Sequence, residues 1–353
     1  MRILMVNQSV SDSNPYVMSL AYGLSLYGHE VVCSLDDFWN SFQRYDLLYF
    51  QWPEAIFGWK RAKIDIEELS RHFDRIKDVG IKMVVTCHNL HPHNHDAKTT
   101  ELYELVYSRV DAFHHMGRYS FDLMKERYPC QYHFIAPHHI ADCLWGNPAC
   151  SLEAKRRLHI PENRIVISSF GAFRNDEEVR MCVDMAKDIA NRHMIILAPR
   201  IPIGSFYNGR HIKRTMEYLY DSLLYKRLRI RYSGFLIEEE MRVWISASDI
   251  LFIQRKDILN SGNLPMAFAA GKVVVGPERG NVGDILKETG NYVFDPYDRG
   301  SVKQAILDAI DEVKTSNQLG IRNYLYAREN WSVSKVCGLI DKELSQVINR
   351  NSI

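Results

Sequence analysis

Neither sign of charge is in surplus. Lys and Arg total 44 against 43 Asp and Glu, a net of +1 at pH 7. Nucleic-acid binders ordinarily carry a basic excess, because their affinity rests on neutralising phosphates, so no nucleic-acid partner is expected. Long apolar runs are lacking too. The longest stretch free of Asp, Glu, Lys and Arg, from Ser13 to His29, is interrupted by Asn14, Pro15, Gly23 and Gly28. A membrane span needs about 20 mostly apolar residues. The opening residues MRILMV lack the apolar region and small-residue cleavage site of a signal peptide and read as a strand. Cysteine is sparse and unpatterned: Cys33, Cys87, Cys130, Cys143, Cys150, Cys182 and Cys337 are odd in number and nowhere spaced as CxxC. Neither a disulfide framework nor a zinc site is expected, and free thiols fit a cytoplasmic chain.

What is present is an ordinary globular composition, 46% apolar and 25% charged, over 353 residues. At about 150 residues per domain that length suggests two domains. Short β-rich runs alternate with helix-length amphipathic segments, the pattern of parallel α/β architecture. Strands are expected at Arg2–Val6, Val31–Leu35, Leu47–Phe50, Met83–Cys87 and Ala112–His115. Helices fit Pro15–Tyr27 and Asp65–Val79, stopped by Gly28 and Gly80, and one capped by Thr99 or Thr100 runs to Val110. Pro129, Pro137, Pro148 and Pro161 punctuate the aperiodic stretch from Cys130 to Pro161, which reads as a linker. The alternation then restarts, with strands at Ile165–Phe170, Met194–Ala198, Arg229–Tyr232, Ile250–Ile253, Val273–Val275 and Tyr292–Phe294. Two doubly wound Rossmann-like domains facing a cleft are expected, 1–145 and 146–332. A terminal helix, Val333–Asn349, is placed to pack back on the first. Ligands bind such sheets at the carboxyl ends of the strands.

Two strand-to-helix turns carry chemistry. In DILFIQRKDILNSGNLPMAFAAGKVVVGPERG (249–280) a buried strand leads into a helix opening at Ser261, Gly262 and Asn263. Small residues at a helix start leave backbone N–H groups and the positive dipole end exposed, an anion site suited to a diphosphate. Arg255 and Lys256 precede it. The alternative is a capped helix in a loop. In SSFGAFRNDEE (168–178) a strand passes into Gly171 and then Arg174, whose guanidinium can fork onto phosphate oxygens. The alternative is that Arg174 pairs with Asp176, Glu177 or Glu178.

These elements together resemble the GT-B glycosyltransferases, a family that includes bacterial exopolysaccharide and lipopolysaccharide enzymes. FGAFR resembles its strand–Gly–loop–Arg element for the donor diphosphate. AFAAGKVVVGPERGNVGDIL resembles its helix–AxG–strand block, and GNYVFDPYDRGSVKQAI its terminal pattern. RYSGFLIEEEMRVWISASDILFI resembles the segment whose loop, here Gly234–Phe235, holds the nucleobase. NPYVMSLAYGLSLYGHEVVCS resembles the opening helix and GHEV strand, while QWPE (51–54) and TCHNLHPH (86–93) resemble a subgroup with HWPE and TxHNxxPH motifs. The resemblance covers nearly the whole chain. It implies a nucleotide-diphosphate sugar as donor, no cofactor and no essential metal, and it puts His88 where the family contacts the donor sugar. Retaining members often carry two Glu before the AxG block. Here Ile258 and Met266 stand there, with Asp257 one residue from the first, so the retaining mechanism is not carried over.

The expected activity is sugar transfer to a glycan or lipid-linked acceptor in surface polysaccharide synthesis. A nucleotide-sugar epimerase of the same fold and a non-catalytic nucleotide-sugar binder are the alternatives. His88 and Glu54, each following a predicted strand, are the catalytic candidates. Arg174, Lys256, Asp257, Ser261, Gly262, Asn263, Gly234 and Phe235 are assigned to the donor, and Asn14, Trp52 and His93 to the acceptor side. Nine of the fourteen His lie between 88 and 139, but a closed zinc shell needs four ligands at a spacing absent here. His138 and His139 either border the cleft or take a packing or surface role. Trp39, Trp52, Trp59 and Phe57 suit either core packing or a sugar platform. Trp59 with Lys60, Arg61 and Lys63 is a small basic-aromatic cluster fit for peripheral contact with anionic lipid at the inner face of the cell membrane.

Overall fold

The computed structural model describes residues 1–9, 14–92, 96–145, 149–190, 193–203 and 211–350, without the side chains of 145 and 211–215. Two compact units emerge: Met1–Leu144 with Glu329–Ile353, and Trp145–Arg328.

The first unit holds β1 (Arg2–Val6), β2 (Glu30–Cys33), β3 (Leu47–Phe50), β4 (Lys82–Thr86), β5 (Ala112–His115) and β6 (Tyr132–Ile135). They form one sheet in the order β2-β1-β3-β4-β5-β6, every pair parallel. The second holds β7 (Ile165–Ser168), β8 (Met194–Leu197), β9 (Ile230–Arg231), β10 (Ile250–Phe252), β11 (Val273–Pro277) and β12 (Tyr292–Phe294). Its order is β12-β11-β10-β7-β8-β9, again all parallel. Parallel strands covered by helices on both faces must be apolar throughout. LLYF in β3 and MIIL in β8 are accordingly buried at every position. Strand order reverses between β1 and β3 in one sheet and between β7 and β10 in the other. Each reversal opens a crevice at the carboxyl edge, where ligands of such sheets bind.

Several boundaries differ from the sequence reading. Leu35 does not end β2 but begins the helix Leu35–Asn40, because the Ser34 hydroxyl accepts from Asp37 N and turns the chain. Thr99 and Thr100 lie inside the helix Ala97–Arg109, whose cap is Asp96, accepting from Thr99 N at 3.1 Å. A carboxylate at that position satisfies an orphan N–H and complements the dipole. The stretch read as a linker contains β6 and two short helices, Asp142–Trp145 and Ser151–Arg157.

The terminal helix, Val333–Asn349, buries Val333, Val336, Cys337, Ile340, Leu344 and Val347 in the core of the first unit. Val17, Leu20 and Leu24 of the helix Pro15–Ser25 belong to the same cluster. The two helices come close because Gly23 has no side chain: a Cβ there would stand 2.3 Å from Cys337 Sγ. The His29 ring adds a 2.8 Å contact to Asp341, one turn beyond Cys337.

Candidate functional site

The crevice of the second sheet is built from the ends of β7 and β10. β7 runs out through Ser169 and Phe170 into Gly171, whose φ of +88° is a left-handed conformation that favours glycine. A Cβ on Gly171 would meet the Arg255 guanidinium at 3.3 Å and the Asn263 amide at 3.7 Å. Gly171 therefore lies directly against groups delivered by the loop after β10. Asn263 Nδ2 donates to Phe170 O at 3.0 Å, tying the start of the helix Asn263–Ala269 to the β7 loop. Ser261 Oγ accepts from Asn263 N at 3.3 Å, and Gly262 is the N-cap with no side-chain cap bond.

The two arginines of this edge have different surroundings. Arg255 is buried, ion-paired with buried Glu178, and donates to Ala172 O at 2.7 Å. Burial pulls its guanidinium down to about 10, still cationic at neutral pH. Arg174 is exposed and, among the described residues, its side chain makes no ion pair, although its backbone N–H donates to Glu178 at 2.7 Å. Of the three acids that Arg174 was set against, Glu178 is taken by Arg255 and Glu177 by Lys256 at 3.0 Å. Lys256 Nζ also sits 5.1 Å from the centre of the Tyr297 ring. It lines a cleft of about 350 Å³ with Arg180, Met181, Tyr297 and Arg299. Asp257 is exposed, while Met266 is buried in the short helix. On the β9 side, Gly234 (φ +93°) donates to Pro199 O at 2.8 Å, and Phe235 is 78% exposed with the Arg200 guanidinium 5.8 Å from its ring.

In the first unit the carboxyl ends of the neighbouring strands β3 and β4 supply Gln51, Trp52, Glu54 and His88. Gln51 is fully buried, and its side-chain oxygen lies 3.1 Å from His88 Nε2. Trp52 stacks on the His88 ring at 4.0 Å and 15°, and Tyr16 meets it edge-on at 5.0 Å. Tyr16 in turn stacks on His139 at 4.6 Å and touches His138 at 4.7 Å. Both histidines thus pack against Tyr16, with His139 buried and His138 half-buried. Burial, reinforced by His138, His114 and His139, holds His88 well below the usual imidazole range. Glu54, in the 3₁₀ turn Pro53–Phe57, accepts from Tyr103 at 3.0 and 3.2 Å. Burial raises its carboxyl above the usual range, against the lowering effect of those hydrogen bonds.

Asn14 caps the helix Pro15–Ser25, accepting from Val17 N at 3.2 Å. Trp39 packs among Phe38, Phe57 and His72. Trp59 is half exposed, and Arg61 pairs with Asp96 at 2.5 Å. His93 lies outside the described residues. Sequence reasoning missed Gln51, Tyr103, Tyr16 and the Arg255–Glu178 pair. Each acts through a partner distant in the chain; Gln51 stands in QWPE and Arg255 before the helix start, but nothing local announces their contacts with His88 and Glu178. Among the described residues no cluster of three His, Cys, Asp or Glu is arranged to hold a metal.

Two doubly wound six-stranded parallel sheets with flanking helices define the GT-B fold. No family model matches the chain, and no curated protein matches it in sequence. Solved structures match it in fold. Sucrose-phosphate synthase from Thermosynechococcus elongatus superposes with a TM-score of 0.71 at 12% identity, covering 98% of each chain. Anabaena Alr3699/HepE, solved in complex with UDP-glucose, gives 0.71 at 12% identity over 98% of this chain and 100% of that one. The catalytic domain of starch synthase IV from Arabidopsis thaliana, bound to ADP and acarbose, gives 0.70 at 10% identity over 99% of each.

Proposed function

We propose that this protein is a glycosyltransferase of the hexosyltransferase type. It takes a sugar from a nucleotide-diphosphate donor and passes it to a glycan or lipid-linked acceptor in surface polysaccharide synthesis, on the cytoplasmic side of the cell. The observation that carries the reading is the convergence of Gly171, Arg174, Arg255 and Asn263 at the β7–β10 reversal. A side-chain-free turn, an exposed cation with no ion pair among the described residues and a helix start at one sheet edge suit a diphosphate. HepE bound to UDP-glucose and starch synthase IV bound to ADP support a nucleotide sugar as donor. Phe235, exposed after the Gly234 turn, offers its face to the base. Arg174 and the Ser261–Gly262–Asn263 turn bear the charge that develops on the leaving diphosphate, the kind of electrostatic stabilisation that usually dominates catalysis.

The acceptor side is assigned to Glu54, His88, Trp52, Asn14 and His93, and the two catalytic candidates divide by their surroundings. A carboxylate made more basic by burial suits removal of the acceptor proton, so Glu54 is the base. His88, kept neutral, suits hydrogen bonding to a sugar hydroxyl. Lys256 and Asp257 border the donor turn. Buried Met266, an apolar side chain where retaining relatives have Glu, favours a second reading in which the chain binds nucleotide sugars without turning them over.

Thermal shift against UDP, GDP, CDP and ADP and their sugars identifies the donor. A true ligand at one hundred times its Kd stabilises by about 2.7 kcal/mol. Transfer then releases the nucleoside diphosphate only when acceptor is added, epimerisation converts the sugar without that release, and pure binding does neither. Glu54→Gln should lower turnover by about 10²–10⁴, and His88→Ala should lower it as well, each with little change in nucleotide affinity. Near wild-type turnover in both variants overturns their assignment.

A further inference from the structure

Outside the crevices, one helix presents an apolar surface to solvent. The helix His211–Leu228 buries Tyr225 and Leu228 in the core of the second unit. Its opposite face exposes Met216 (68%), Leu219 (56%), Tyr220 (66%) and Leu223 (69%). Their spacing of three, four and seven residues puts them in one stripe about 100° wide. Contiguous exposed apolar side chains on this scale mark a surface that another body covers.

Charge says what kind of body. From Met216 to Leu228 the exposed residues are apolar or aromatic, joined by two cations, Lys226 and Arg227, at the end of the stripe. Arg229, exposed just beyond, extends the cationic end. The acids of this span, Glu217 and Asp221, are half-buried and turned off the stripe. Apolar side chains with cations and no exposed acid complement a surface that is apolar beneath and anionic on top. That is the chemistry of an anionic bilayer interface, on which an amphipathic helix lies in the plane. Among the described residues no helix is long and apolar enough to cross a membrane.

We propose that the face Met216–Leu219–Tyr220–Leu223, with Lys226 and Arg227, docks the second unit on anionic lipid. This surface is separate from the Trp59 cluster of the first unit and does not rest on sugar transfer.

Co-sedimentation with vesicles of three parts phosphatidylcholine to one part phosphatidylglycerol tests it against pure phosphatidylcholine. The full-length protein should bind the anionic vesicles, more weakly as salt is raised, and bind the neutral ones far less. Lys226→Gln with Arg227→Gln, both at exposed positions, should weaken binding roughly 30-fold at low salt, about fivefold per cation. Leu219→Ser with Leu223→Ser should abolish it, with the melting profile and nucleotide-induced thermal shift unchanged. Equal binding of either double variant and the wild type overturns the proposal, as does failure of the wild type to bind. Vesicle-independent self-association that Leu219→Ser with Leu223→Ser removes would overturn it in favour of an interface between copies of the chain.

Discussion

Arg174 and Arg255 occupy one sheet edge and do different work. Arg255 is enclosed with Glu178, and its charge is spent within the protein. Removing one member of such a pair leaves the other buried and uncompensated, which typically costs about 3–5 kcal/mol. Arg255→Leu should therefore lower stability by that order, read as a fall in the denaturation midpoint. Arg174 is exposed and free of ion pairs among the described residues, so Arg174→Ala should leave the midpoint within about 0.5 kcal/mol of wild type. Its loss should appear in titration calorimetry, as weaker binding of a nucleoside diphosphate than of the matching nucleoside. Equal weakening of both ligands would make Arg174 structural. The same contrast explains what could be read from the chain. Arg174 was legible because it follows a strand–Gly turn. The pairing of Arg255 with Glu178, 77 residues apart, is a tertiary fact that no local pattern encodes.

At the level of elements, hydrophobic periodicity carried most of the fold. The terminal helix Val333–Asn349 matches its predicted limits, and strands such as Leu47–Phe50 and Ala112–His115 coincide with theirs. β6 was missed because YHFI is short, carries a histidine and lies among prolines, so composition pointed to a loop. Pairing with β5 along four residues makes it a strand. The Thr99 and Thr100 caps failed because Asp96 competes for the same N–H groups with a stronger acceptor. His88 and Glu54 could be picked out from the motifs around them, but their settings could not. The Trp52 stack and the Tyr103 hydrogen bonds form only once β3, β4 and the helix Ala97–Arg109 are assembled. Helix packing yields a sharp test at Gly23. Overfilling a packed core costs about 1–3 kcal/mol. Gly23→Val should destabilise the first unit by at least that much, since even a Cβ reaches Cys337 Sγ and Val333. Combining it with Cys337→Ala should recover part of the loss in chemical denaturation.

For the whole molecule, a near-neutral net charge leaves the pH dependence of stability to individual buried groups. Burial pushes His114 down to about 4, against a hydrogen bond to Ala136 O that favours its charged form. It pushes His139 down to about 3. Both are neutral in the folded chain and take up a proton near pH 6.5 once unfolded. Between those values the unfolded state holds more protons, so stability is fully present above about pH 6.5 and falls as pH drops towards 4. Each histidine adds about 1.4 kcal/mol per pH unit to that slope. Denaturation midpoints at pH 7.5, 6 and 5 should decline accordingly, and His139→Gln should flatten the decline. A midpoint constant over this range would show that these rings stay neutral on unfolding or are charged when folded.

The chain leaves its first unit at Leu144 and returns to it at Glu329. A ribosome making this protein therefore releases the first sheet long before the helix that closes its core. Until Val333–Asn349 emerges, Val17, Leu20 and Leu24 have no covering helix, while residues 145–328 already form a complete unit. The part translated first is thus the part finished last. A released chain truncated before Val333 should carry a protease-resistant second unit attached to a first unit that is still digestible.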